Sequence, residues 1–427
     1  MKVLVLGGGG REHALVWALR RSPRVTEVIC APGNGGIQAV ARCIPVELEQ
    51  LESMLTVVAL TQPDLVVVGP EAPLAAGIVD ALQERGVNVF GPTRAAARLE
   101  SSKAFAKEFM RRWAIPTAAY EVCASLEAVA EALKKFPPAV VVKADGLAAG
   151  KGVLLCQTHE AAMVAAEELF SGAALGSRAG KVILEEMLQG PEISFFALCD
   201  GAHAFYLAAA QDHKRIGEGD TGPNTGGMGA YSTDSLLAPD TQIWLLEHVA
   251  QRVVDGMLLE GSPFRGVLFT GIMMTAAGPK VLEFNTRFGD PETEAILLRL
   301  ETDLVDLLEA SAKGCMDDVR VVLQPGASAC VVVASAGYPG RYPSGKPITG
   351  LDRLAPGVAV FHAGTALNGD GQVVSAGGRV LAVSAAGATL RETLERIYQA
   401  IGGIHFEGMQ FRRDIGWRAL GEETHAG

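Results

Sequence analysis

Residues 281–294 read VLEFNTRFGDPETE and bring carboxylates, an amide and a guanidinium to the end of one apolar stretch. Along a strand, period two puts Glu283 and Asn285 on the same face. A carboxylate beside an amide oxygen suits Mg2+, or the similar Mn2+, which takes few protein ligands and completes its shell with phosphate and water. Arg287 and Asp290 follow at once, so charge of both signs gathers beside the candidate metal pair. A capped turn would explain Asp290 and Pro291, with Glu292 and Glu294 in the first turn of the next helix. It would not explain a carboxylate and Arg287 set beside Phe284 and Phe288.

A second stretch, VVVKADGLAAGKG, ends an apolar strand in a glycine loop. Lys143 closes the strand and Lys151 lies in the loop, two compact cations able to reach different phosphates. Gly146, Gly150, Lys151 and Gly152 fall one residue short of the Walker A spacing, and Gly152 stands where that motif needs Ser or Thr, so this is not a P-loop. Further on, LEEMLQGPE is an apolar strand turned polar, as where a backbone edge meets an adenine, with Glu192 placed for ribose hydroxyls.

At the N-terminus, VLVLGGGGREHAL reads as strand, glycine cluster and helix start, and Gly8, Gly9, Gly10 and Arg11 form a candidate phosphate cradle. A dinucleotide fingerprint fails there, because Glu12 occupies the third glycine position and no acid closes the second strand. His13, His213 and His362 read as hydrogen-bonded structural groups rather than bases.

These groups need positioning elements. Residues 2–92 alternate short apolar strands with helical stretches, which predicts a parallel α/β sheet with ligands at the strands' carboxyl ends. The segment AAARLESSKAFAKEFMRRW predicts one continuous helix closed by Pro116, followed by a small α+β module. From 190 to about 300 longer strands predict an antiparallel sheet. A polar, Gly-rich loop at 211–230 interrupts it, too rich in donors to be a spacer. The remainder returns to strands with one amphipathic helix near 388–401.

The 427 residues suggest about three domains. Hydrophobic residues at 49% argue against disorder. A net charge of −11 without long Lys/Arg runs excludes a nucleic-acid footprint and an anionic-membrane surface, leaving small molecules as partners. No uninterrupted apolar run reaches the length of a membrane span, the N-terminus lacks a signal-peptide core, and the scattered cysteines suit a reducing compartment. A cytoplasmic location is expected.

Taken together, GGGGREHAL, VVVGPEAPL, KADGLAAGKGV, AQDHKR, DTGPNTGGMGAY, EFNTRFGDPETE, HAGT and DIGWRA resemble, in order and over nearly the whole chain, the glycinamide ribonucleotide synthetase family of the ATP-grasp superfamily. The resemblance implies an N-terminal substrate-binding α/β domain at 1–102, an ATP-grasp domain of two α+β subdomains at 103–319 with a mobile lid at about 117–188, and a mixed α/β C-terminal domain at 320–427. It implies ATP-dependent ligation of glycine to 5-phosphoribosylamine through a glycyl phosphate in purine synthesis, with room for a transient partner that supplies the ribosylamine.

On this resemblance Lys103, Lys143, Gly150, Lys151 and Gly152 contact nucleotide phosphates, and Glu185, Glu186, Leu188 and Glu192 surround the adenosine. Glu283 and Asn285 hold the metal. Arg287, Asp212, Asn224, Asp290 and Lys151 serve the glycine and the reacting phosphoryl group, while Gly8, Gly9, Gly10, Arg11 and Glu71 face the ribosylamine. The alternatives are another carboxylate–amine ligase of the superfamily, a biotin-dependent carboxylase subunit, and a non-catalytic nucleotide-binding protein that kept the fold.

Overall fold

The computed structural model describes residues 1–148, 152–173, 176 and 178–423. The chain opens with β1 (Lys2–Gly7), β2 (Glu27–Pro32), β3 (Arg42–Cys43), β4 (Leu65–Val68) and β5 (Val89–Phe90), a parallel sheet in the order β3-β2-β1-β4-β5. Val3, Leu4, Val5 and Leu6 are all fully buried, as expected of a parallel strand covered on both faces. Connections leave β1 toward opposite edges, so the crevice at its carboxyl end is the topological switch point. The glycine cluster stands there and leads into the helix Gly10–Leu19.

The continuous helix expected over 95–113 is broken. Helix Arg98–Ser101 ends at Ser102, which is extended (φ −141°, ψ 106°) and caps a second helix, Lys103–Arg112, by accepting from the Phe105 amide. The Ser102 hydroxyl also donates to Asp145 Oδ1 at 3.0 Å. Serine in a helical run competes for its own backbone, and here the competition wins because Asp145 offers a tertiary partner. The break aims Lys103 at the start of the glycine loop, where its Nζ donates to the Gly146 carbonyl at 3.0 Å.

Strands β6 (Tyr120–Cys123), β7 (Val140–Ala144), β8 (Val153–Cys156) and β9 (Val182–Glu186) form a small antiparallel sheet in the order β6-β9-β7-β8. Val140, Val142, Val182 and Leu184 pack with Val129, Leu133 and Leu169 of the helices Leu126–Leu133 and His159–Ser171. Alternation then turns Lys143 and Glu185 to the opposite face.

The main sheet contains β10 (Glu192–Asp200) and β11 (Ala204–Asp212). The stretch expected as an unstructured loop instead forms a hairpin, β12 (Arg215–Gly217) and β13 (Thr221–Asn224), and then β14 (Gly229–Thr233). There follow β15 (Arg265–Thr275), β16 (Gly278–Asn285), β17 (Ala327–Ala334), β18 (Val358–His362), a small pair β19 (Thr365–Leu367) and β20 (Val373–Ser375), and β21 (Arg379–Gly387). Eight strands run in the order β16-β15-β10-β11-β14-β17-β21-β18, so the C-terminal strands extend the same sheet through β14. Along β10, Ile193, Phe195 and Ala197 face the helices Lys103–Arg112 and Gln251–Leu259, whereas Phe196 and Leu198 join a core with the N-terminal domain. Glu192 and Ser194 belong to the latter face. Among the described residues no helix is long and apolar enough to cross a membrane.

The three histidines are buried and hydrogen-bonded. His13 Nδ1 accepts from the His362 amide at 2.8 Å, His362 Nδ1 meets the Thr365 hydroxyl at 3.2 Å, and His213 Nε2 accepts from the Gly416 amide at 3.1 Å. Burial, helped by Arg412 and Arg418, pushes His213 from 6.5 down to about 3. An unfolded chain protonates this ring near pH 6.5, so its contribution to stability is complete above that pH and is lost as pH falls toward 3. The slope is about 1.4 kcal/mol per pH unit. His213→Gln, which keeps an acceptor for Gly416, is expected to flatten the fall of melting temperature between pH 7 and pH 5. Equal slopes in variant and wild type would contradict this.

Candidate active site

Register sets the floor of the site. Glu283 and Asn285 of β16 pair with Gly271 and Phe269 of β15 and share one face. Burial alone would raise the Glu283 carboxyl, but Lys214, Lys143, Lys103 and Arg287 together hold it below its ordinary range. It is therefore an ionised, hard oxygen donor. Asn285 Oδ1 accepts from Arg287 Nη2 at 3.2 Å, which fixes the amide oxygen beside it. An anionic oxygen and a neutral one on adjacent same-face positions fit a small divalent cation. Gly271 stands opposite Glu283, so β15 adds no acidic ligand at that register.

Arg287 is clamped by acids from the N-terminal half. Its Nη2 lies 3.1 Å from Glu100 and its Nε 3.4 Å from Glu71, while Nη1 donates to the Phe288 carbonyl. Glu100 in turn accepts from both the amide and the hydroxyl of Thr286. Burial would raise the Glu71 carboxyl, but Arg287 and then Arg11 hold it down, so Glu71 stands ionised between two guanidiniums.

Above the floor, Glu185 lies between Lys107 at 2.8 Å and Lys143 at 3.0 Å, all three deeply buried. The Lys143 ammonium also donates to the Leu282 carbonyl and so ties the small sheet to β16. The resemblance places Glu185 at the adenosine. Its carboxylate is engaged by the two lysines, and its backbone lies inside the sheet, paired with Tyr120 on one side and Val141 on the other. Glu186 ends β9, with its carboxylate 3.2 Å from Lys280, and Leu188 is half-buried in the segment that leads to β10. A backbone edge for adenine starts only beyond Glu186. Gly152 precedes β8 and is buried, whereas Gly150 and Lys151 lie outside the described residues.

Glu192 pairs with Lys214, a cation missing from the sequence-based set. Partial burial would lower the Lys214 ammonium, but Glu192, Asp212 and Glu283 hold it above its ordinary range. The signal was present in AQDHKR, two residues beyond Asp212. Burial drives the Asp212 carboxyl up to about 7; Lys214 opposes this shift, while Glu292 and Glu192 add to it. Asn224 ends β13, half-buried, in register with Arg215.

The glycine cluster forms the remaining wall. A Cβ at Gly8 would lie 2.4 Å from the Gly33 carbonyl, so close packing demands glycine there, whereas one at Gly10 would meet the end of the Glu294 side chain at 2.4 Å. The Gly9 amide, expected in the phosphate cradle, donates here to Glu12 Oε2 at 2.6 Å. Arg11 pairs with Glu12 at 2.6 Å and donates to the Phe288 carbonyl. Asp290 does not cap the helix Glu292–Ile296, whose N-cap is Pro291. Its carboxylate instead meets Arg379 at 2.9 Å, and it borders Gly9 rather than the lysines over β16. Sequence reasoning also missed Arg379, Glu100 and Lys107, which act through long-range pairs.

The architecture has known counterparts. The chain matches the N domain of phosphoribosylglycinamide synthetase over residues 1–100, its ATP-grasp (A) domain over 101–293 and its C domain over 328–418. It belongs to the phosphoribosylglycinamide synthetase family. Members of that family include the phosphoribosylamine–glycine ligase of Xanthomonas axonopodis pv. citri, 47% identical with 100% of both chains covered. The ligase of Chlorobaculum tepidum is 48% identical over 98% of this chain and 100% of its own. The crystal structure of the Thermotoga maritima phosphoribosylamine–glycine ligase superposes with a TM-score of 0.87 at 36% identity, covering 97% of this chain and 100% of that one. Biotin carboxylase from Campylobacter jejuni shares the fold, with a TM-score of 0.76 at 15% identity over 97% of this chain and 93% of its own. The synthetase family thus accounts for all three parts of the chain, with the glycine cluster in its N domain and the Glu283–Asn285 pair in its ATP-grasp domain.

Proposed function

We propose that this protein joins glycine to 5-phosphoribosylamine at the expense of ATP, forming glycinamide ribonucleotide, ADP and phosphate in purine biosynthesis. The observation that carries the reading is full-length 47% identity to a phosphoribosylamine–glycine ligase in a chain whose Glu283 and Asn285 share a face ringed by cations. A carboxylate is a poor acyl donor. A glycine carboxylate oxygen attacks the γ-phosphorus and ADP leaves; the ribosylamine nitrogen then attacks the acyl carbon, loses a proton and expels phosphate. No enzyme nucleophile is required, so catalysis rests on positioning and charge.

The residues divide by location. Lys143 and Lys103 line the phosphate path with Lys151, and Gly150 and Gly152 belong to the same loop. Glu186, Leu188 and Glu192 flank the adenosine. Glu283 and Asn285 hold Mg2+ or Mn2+, which supplies charge neutralisation at the phosphate oxygens when bound. Arg287, Asp212, Lys214 and Asn224 surround the glycine and the reacting phosphoryl group, while Gly8, Gly10, Arg11, Glu71 and Asp290 face the ribosylamine. The N-terminal domain ends near 102, the ATP-grasp domain near 319, and the unit at about 117–188 acts as a lid.

Omission of each substrate in turn tests the reading, with ADP release as the readout. ADP is expected to appear only when ATP, glycine and phosphoribosylamine are all present. Vigorous ADP formation without glycine overturns the assignment and points to another carboxylate activation, as in the biotin carboxylases. The lid makes a separate prediction, because closure must exclude water from an acyl phosphate. Proteolysis of the free protein is expected near 145–152, and Mg-ATP is expected to slow it. Equal cleavage with and without nucleotide contradicts a closing lid.

A further inference from the structure

The motif RRDIGWRA, residues 412–419, has no part in the chemistry above, yet it makes some of the densest polar contacts in the molecule. Its partner is the hairpin β12–β13. That hairpin starts just after Asp212 and Lys214 and ends on Asn224, so its two feet are residues placed around the glycine. None of its residues from Arg215 to Asn224 is buried. A two-stranded hairpin without a core is marginal in water, so its position must be imposed from outside.

Arg412 imposes it. The side chain is only 1% exposed. Its Nη1 donates to the Arg215 carbonyl at 3.1 Å and to Asp220 Oδ1 at 2.9 Å, and its Nε and Nη2 hold Asp414 at 2.8 Å each. Asp414 then accepts from the Gly219 amide at 2.8 Å, Glu218 accepts from the Arg413 amide at 3.2 Å, and Arg418 pairs with Asp220. Asp220 has φ 55°, a left-handed conformation unusual for a residue with a side chain. Two arginines hold that turn. At the base of the hairpin the Gly416 amide donates to His213, the residue between Asp212 and Lys214. The segment is anchored behind by Tyr398 of the helix Leu390–Ile401, whose hydroxyl donates to the Arg412 carbonyl at 3.2 Å.

We propose that Arg412, with Asp414 and Arg418, is a positioning device for the glycine site: the C-terminal segment holds the β12–β13 hairpin so that Asp212, Lys214 and Asn224 keep their places. This rests on the functional reading above, and specifically on the glycine lying at the hairpin's feet. Lys103 and Lys143 stand on other elements, whereas Lys214 also holds Glu192, so the device bears on glycine first and on ATP less. A guanidinium that donates from all three nitrogens of its fork has no equal among the other side chains, so lysine should restore only part of the effect.

The test is a steady-state comparison of the full-length protein with Arg412→Met, Arg412→Lys and Asp220→Asn. Arg412→Met is expected to lower kcat/KM for glycine about 100-fold, the scale of a displaced contact of about 1 Å, with most of the change in the glycine KM. Binding of a non-hydrolysable ATP analogue should weaken far less. Arg412→Lys should recover part of the loss, and hydrogen exchange should quicken at 215–224 while β11 stays protected. Asp220→Asn, which leaves the buried arginine in place on Asp414, should shift the glycine KM in the same direction and keeps the test open if Arg412→Met fails to fold. An unchanged glycine KM in a folded variant, or an equal loss of ATP-analogue binding, overturns the proposal. If wild-type ADP release proves independent of glycine, the functional reading fails first and the proposal with it.

Discussion

Replacing Glu283 with Gln is expected to cut ADP formation by at least about 100-fold, comparable to the loss of a principal charge-stabilising group, while the melting temperature stays close to wild type. The volume is kept and only the charge is lost. The fold tolerates this because each neighbouring cation has another partner: Lys214 keeps Glu192, Lys143 keeps Glu185, Arg287 keeps Glu71 and Glu100, and Lys103 keeps the Gly146 carbonyl. The measurement is the initial rate against free Mg2+, with Mn2+ as a second arm. Turnover at the wild-type rate at low Mg2+ would remove Glu283 from the metal site. A loss matched by an equal fall in melting temperature would make its role structural.

What the sequence could convey follows from how local each feature is. Period two needs only neighbouring residues, so Glu283 and Asn285 were placed on one face without any knowledge of the sheet. The parallel N-terminal strands were legible for the same reason, each being a short apolar run closed by a glycine or proline loop. The broken helix at Ser102 was not legible, because its cause is Asp145, some forty residues away in sequence. Nor was the hairpin at 215–224: it owes its order to Arg412 and Asp414, nearly two hundred residues on. The same limit hides the partners of two site residues. LEEML shows two adjacent acids, but nothing in it says that Glu185 points at Lys107 and Lys143 while Glu186 points at Lys280. FGDPE looks like a helix cap, and only the pairing of β17 and β21 brings Arg379 to Asp290.

The second large effect follows from the lysine partners of Glu185. Among the described residues Glu185 is the acid that pairs with both Lys107 and Lys143, and burial would raise its carboxyl were the two ammoniums not holding it below the usual range. Lys107 shows the strain of the cluster: burial pushes it down to about 8, with Glu185 pulling it back up and Lys143 pushing it further down. Glu185→Gln therefore leaves two buried ammoniums facing each other, and removing one member of a buried ion pair costs about 3–5 kcal/mol. The expected result is a small sheet that opens locally, seen as faster hydrogen exchange in β7 and β9 with the N-terminal sheet unaffected. Nucleotide should oppose the opening, because phosphates beside Lys143 replace part of the missing negative charge. Mg-ATP is thus expected to restore more protection to Glu185→Gln than it adds to wild type. Were Glu185 instead an adenosine contact, the variant would keep wild-type exchange when free and would gain less protection from Mg-ATP, since the change would weaken binding without loosening the sheet.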